Sequence, residues 1–117
     1  DPELISLLLE AGADPDVLNR KRLTPLMSIV EWGTGTLEQM ECLLENGADP
    51  NIRDAEDKTA LHFLAENTDL DADFRREATD LLLRHGADSS LREDVFDETP
   101  YEYAKRNDNS VVEDILW

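Results

Sequence analysis

Leu43-Leu44-Glu45-Asn46-Gly47-Ala48-Asp49, LLENGAD, decides the fold because it is one of three copies. The phrase also reads LLEAGAD at Leu8–Asp14 and LLRHGAD at Leu82–Asp88, so Gly12, Gly47 and Gly86 stand 35 and 39 residues apart. A second phrase follows each glycine after 12, 12 and 13 residues: Thr24-Pro25-Leu26, Thr59-Ala60-Leu61 and Thr99-Pro100-Tyr101. Self-similarity at such a period marks supersecondary units that stack on one another.

Local chemistry places these phrases on helices. Each glycine follows a Leu-rich amphipathic run, where a left-handed C-terminal cap favours Gly. Each threonine fits an N-cap, and Pro25 and Pro100 follow at the first helical position, where a missing N–H costs nothing. Asp1-Pro2-Glu3 repeats that logic at the start of the chain. Thr24 to Gly47 spans 23 residues and Thr59 to Gly86 spans 27, so the surplus falls in the turn between paired helices. Glu31-Trp32-Gly33-Thr34-Gly35-Thr36 is one such turn. A phosphate-cradling loop needs a strand before its glycines and usually a Lys after them; here a helix precedes and the neighbours are acidic.

At these residues the sequence resembles the ankyrin repeat family. TPLM, TALH and TPYE match its T-P-L-H opening, and LLxxGAD followed by Pro15-Asp16 or Pro50-Asn51 matches its second-helix end and the start of its finger. The resemblance covers almost the whole chain. It implies an all-α, helical repeat solenoid of about three and a half units with short finger loops or hairpins, in a single domain, 1–117. The units are a partial repeat over 1–20, repeats over 21–55 and 56–95, and a C-terminal capping repeat over 96–117. Lys105 and Arg106 replace the small or apolar residues of an inner unit, as a soluble outer face requires. The first unit has only its second helix, so Leu4, Ile5, Leu7 and Leu8 call for an upstream repeat or another chain to cover them. Met27, Ile29 and Leu64 depart from the family pattern.

Composition narrows the partners. With 28 acidic against 11 basic residues, a net charge of −17, the chain repels phosphate backbones and anionic headgroups. Nucleic acid and membrane surfaces are therefore not expected as partners. A single cysteine, no zinc-ligand cluster, no apolar run of bilayer length and no basic leader point to a reducing, intracellular setting, the cytoplasm.

Catalysis and cofactors are not expected. Asp69, Asp71, Asp73 and Asp80 imitate calcium-loop positions, but Phe74 stands where the loop needs Gly, and the bland alternative is an acidic loop entering a helix. His62 belongs to TALH, a residue that the resemblance implies ties units together; His85 precedes a cap glycine; Cys42 takes the place of Leu7 and Leu81 and reads as a small core residue.

Recognition remains. The resemblance implies contacts at finger tips and on the concave first-helix face, here Arg20, Lys21, Leu23, Glu31 and Trp32, then Ala55, Glu56, Lys58, Glu66 and Asn67, then Val95, Phe96, Glu98 and Arg106. Trp32 is either an interface anchor or packs on its own GTGT turn; Val95 and Phe96 either anchor a partner or staple an irregular finger. Arg20, Lys21 and Arg22 form the one basic cluster, facing an acidic partner or neighbouring fingers. The expected function is binding of a basic protein partner. The alternative is an inhibitor or immunity-type protein that masks a basic enzyme such as a nuclease.

Overall fold

The computed structural model describes residues 11–12, 14–16, 18–19, 22–32 and 36–116, apart from the side chain of Trp32. Expectations about the N-terminal helix, about Arg20 and Lys21, and about Gly33 and Gly35 fall outside these residues. Six helices follow: α1 (Pro25–Trp32), α2 (Leu37–Glu45), α3 (Ala60–Glu66), α4 (Ala72–Arg84), α5 (Pro100–Arg106) and α6 (Ser110–Leu116), with no strand among the described residues. They pack in pairs, α1 on α2, α3 on α4 and α5 on α6. The first helices stack as one row, α1 on α3 on α5, and the second helices as another, α2 on α4 on α6. This is the helical repeat stack that the phrases imply.

The starts and stops are those that the residues dictate. Thr24 Oγ1 accepts the Met27 N–H at 3.2 Å. Thr36 forms a capping box with Gln39, and Thr99 one with Glu102, each satisfying two orphan donors reciprocally. Asp71 caps α4, so Asp73 and Asp80 lie on a helix and pair with Arg76 and Arg84. The calcium-loop alternative is thereby corrected, because a helix holds those acids apart. At the other end, Gly47 and Gly86 have φ of 95° and 90°, and the Ala48 and Ala87 N–H groups reach back to Leu43 and Leu82 carbonyls at 3.0 Å. Only a residue without Cβ turns there at little cost.

Leu26, Met27, Val30, Met40, Leu61, Leu64 and Leu82 are fully buried in a core continuous across the first two described pairs. Met27 and Leu64, departures from the family pattern, are both buried members of it. Tyr103, Ala104 and Val112 close on Ala65 beneath the last pair.

Ahead of each described pair the chain closes a tight finger. Backbone bonds run from Asn19 to Leu23 (3.0 Å), Asp54 to Lys58 (2.9 Å) and Glu93 to Glu98 (2.9 Å). The penultimate residues Arg22, Asp57 and Asp97 are left-handed, with φ of 64°, 61° and 54°. The first residue of each finger closes it with its side chain. Asn19 Oδ1 accepts Leu23 N–H at 3.0 Å, and Asp54 Oδ1 accepts Glu56 and Lys58 N–H at 2.8 and 2.9 Å. The third finger is one residue longer, and Glu93, one methylene longer than Asp54, spans it.

Polar bridges join neighbouring units. Asp16 Oδ1 accepts the Asp49 N–H at 2.9 Å, and Asn51 Oδ1 that of Asp88 at 2.7 Å, one unit further along. His62 is fully buried; its Nδ1 accepts the Thr59 N–H at 3.1 Å, which fixes the proton on Nε2 for donation to the Glu98 carbonyl at 2.9 Å. Burial holds this imidazole below the ordinary histidine range, although the bond to Glu98 pulls the other way. The unfolded ring takes up its proton near pH 6.5 and the folded ring only at lower pH, so the unfolded state binds more protons in that window. Stability contributed by neutral His62 is therefore present above pH ~6.5 and is lost as pH falls toward the folded pKa. Between pH 7 and 5 the melting temperature of the parent should fall relative to that of His62→Gln, which titrates no imidazole there. Parallel pH profiles for the two chains would refute this.

Candidate functional site

Lys58 is the last residue of the second finger, immediately before the Thr59 N-cap, so its side chain is delivered across the face of α3. It is only 13% exposed, with Nζ 3.7 Å from Glu56 Oε1 and 3.5 Å from Glu66 Oε2. The same ammonium lies 4.6 Å from the centroid of the Phe63 ring. Glu31 enters from the end of α1, one unit away, because α1 stacks on α3.

Glu31, Lys58, Phe63, Glu66 and Asn67 line a groove of about 310 Å³. A hollow of about 150 Å³ continues it toward the finger tip, sharing Glu31, Lys58 and Phe63 and adding Leu23, Asp54, Ala55 and Glu56. Two glutamates thus pair with one ammonium, and a third, Glu31, shares the walls of both hollows with it. Glu31 Oε2 is withdrawn from solvent and has no hydrogen-bond partner among the described residues.

The structure brings together Glu31, Ala55, Glu56, Lys58, Glu66 and Asn67 of the expected contact residues. Leu23 requires correction as an exposed contact: it is 4% exposed and belongs to the core, so it lines the hollow only with the little surface it retains. The left-handed turn at Arg22, with the Leu23 N–H and carbonyl both tied to Asn19, rolls its side chain inward. Asn67 lines the groove but is committed to structure, with Nδ2 donating to the Val30 and Glu31 carbonyls at 3.0 and 3.3 Å. Trp32 ends α1, and its side chain lies outside the described residues. Phe63 and Asp54 were not among the expected contacts. The signal for Phe63 is its place four residues after an N-cap threonine, one turn along the same face.

A second cluster lies on the third finger. Val95 and Phe96 are 55% and 57% exposed. Phe96 packs edge-on against Tyr103, and the Arg106 guanidinium covers its ring at 4.3 Å while Arg106 Nε pairs with Glu98 at 2.9 Å. The apolar tip is therefore stapled to α5 and still presents more than half of both side chains.

Below it, buried Glu93 accepts the N–H groups of Val95, Phe96 and Glu98 at 2.6, 2.8 and 3.0 Å. Burial pushes its carboxyl up, but those bonds and the Tyr103 hydroxyl more than offset that, and the net direction is below the usual carboxylate range. Burial and the Glu93 charge hold the Tyr103 phenol far above its ordinary range. Such a network fixes a loop and offers no proton near neutrality.

His85 is the exposed C-cap of α4 and contributes its backbone N–H. Cys42 is half-buried on α2, less enclosed than a core residue, with Asn46 Nδ2 3.9 Å from its sulfur. Among the described residues no group of three or more His, Cys, Asp or Glu stands where it could hold a metal ion, and no helix is long and apolar enough to cross a membrane.

A family model described as ankyrin repeats, in three copies, matches residues 1–92 and again residues 32–116. No curated protein matches the chain.

Proposed function

The chain belongs to the ankyrin repeat family, and on that premise we propose that it is a non-catalytic module binding a basic protein through the Lys58 groove and the finger tips. Domains of this family are generally protein–protein interaction modules. The observation that carries the finer reading is that Glu31 and Glu66 line the groove, and Glu56 the hollow that continues it, in a chain of net charge −17. A field of that sign accelerates encounter with a basic surface, and a preformed groove keeps the ordering cost of docking low. Val95 and Phe96 supply an apolar anchor beside it. Its composition, acidic with one cysteine, supports a cytoplasmic setting.

A photo-crosslinking residue placed at exposed Ala55 should capture a basic protein from native lysate, and one placed at Asp80 on α4 should not. Adducts from Asp80 alone would move the interface to the second-helix face. With the captured protein in hand, raising salt should slow association and leave dissociation nearly unchanged. Equal association rates at low and high salt would remove the steering.

A further inference from the structure

We propose that the Lys58 groove is a receptor for a guanidinium, an arginine side chain of the basic partner, with the Lys58 ammonium standing in that place until the partner arrives. This rests on the binding role above and names the chemistry of the same site. Glu31 and Glu66 line the groove and Glu56 the hollow that continues it, while the one ammonium there pairs with Glu56 and Glu66, so Glu31 is left as unused acceptor capacity. Glu31 Oε2 is the clearest case, a carboxylate oxygen out of water without a donor among the described residues. Such an atom is destabilising until a donor reaches it.

The internal cation is loosely held. Its separations of 3.7 and 3.5 Å from Glu56 and Glu66 exceed those of a charge-assisted hydrogen bond. A guanidinium suits the groove better than a second ammonium. Its planar fork donates to two carboxylate oxygens at once and stacks on an aromatic face, and Phe63 offers one in the groove lining. A volume of about 310 Å³ admits one such side chain.

The test uses methylguanidinium chloride as the probe and methylammonium chloride as the control, at matched ionic strength, on the ¹⁵N-labelled chain. Methylguanidinium should move the amide signals of Lys58, Phe63, Glu66 and Asn67 saturably, and methylammonium should not. Glu31→Gln, which keeps the shape and removes the charge, should weaken the probe by about tenfold. Lys58→Met keeps the apolar stem over Phe63 and removes the competitor, so it should tighten the probe by about fivefold, as expected when a blocked state is emptied. Undisturbed spectra of both variants report their folding.

Shifts spread evenly over the acidic surface, equal shifts with both salts, or weaker binding by Lys58→Met would overturn the proposal. If Ala55 still captures a protein while the groove ignores methylguanidinium, the guanidinium assignment falls and the binding role stands. If the groove saturates but Ala55 captures nothing, the site stands and the protein-binding role falls.

Discussion

Glu93→Asp should destabilise the chain nearly as much as Glu93→Ala, by about 3 kcal/mol, in thermal or urea unfolding followed by circular dichroism. The carboxylate is 2% exposed and accepts three backbone N–H groups. Leaving one such donor without a partner costs about 1 to 3 kcal/mol, and water at the exposed tip replaces part of that. The Asp variant separates charge from reach. In the second finger Asp54 makes the equivalent closure, but that loop is one residue shorter. Aspartate at 93 keeps the charge and falls one methylene short, so it should leave Phe96 or Glu98 without its acceptor. An Asp variant within about 1 kcal/mol of the parent would refute the span argument.

The pH dependence supplies a second readout of the same residue. The folded Glu93 pKa lies below its unfolded value, so its contribution is present above pH ~4.5 and is lost as pH falls through the folded value. His62 acts in a higher window, beginning near pH 6.5. Protonation of the many surface acids also relieves self-repulsion, which opposes both losses. Differences between parent and Glu93→Gln below pH ~4.5 therefore carry the information, since the surface acids are common to both.

Much of this architecture was legible because caps act locally. A Thr that caps its own helix or a Gly that ends one leaves a mark at a fixed place in every unit, and stacking multiplies that mark. The groove was partly legible: Glu31, Lys58 and Glu66 lie far apart in sequence, and the resemblance to a repeat family put them on one face. Leu23 misled because its direction depends on the left-handed turn at Arg22, a conformation for which Arg gives no warning. Glu93 was hidden for a different reason. In a chain with 28 acidic residues one more carboxylate reads as solvated, and only the extra finger residue beside it hints otherwise.

Asn109→Ala should cost about 3 to 4 kcal/mol, detach α6 from the stack, and lower the dependence of unfolding on urea, because less surface is then exposed in the transition. Asn109 is fully buried and uses both ends of its amide. Nδ2 donates to the Leu64 and Ala65 carbonyls at 3.0 and 3.1 Å, near the end of α3, where carbonyls lack helical partners. Oδ1 accepts from Arg75 Nη1 at 2.7 Å and from the Val112 N–H at 3.3 Å. One side chain thus ties α3, α4 and α6 together. Asn67 makes the same reach one unit earlier, to Val30 and Glu31, but is only half-buried, so water compensates part of its loss and Asn67→Ala should cost less. Asn109→Asp separates the two ends. It keeps the acceptor for Arg75 and Val112, strengthened by charge, and turns the donor into an acceptor that faces two carbonyls. If the carbonyl pair holds the last unit in place, Asp should be at least as damaging as Ala. Stability equal to the parent would mean instead that the Arg75 contact carries the junction, and Arg75→Met would then reproduce the loss assigned here to Asn109.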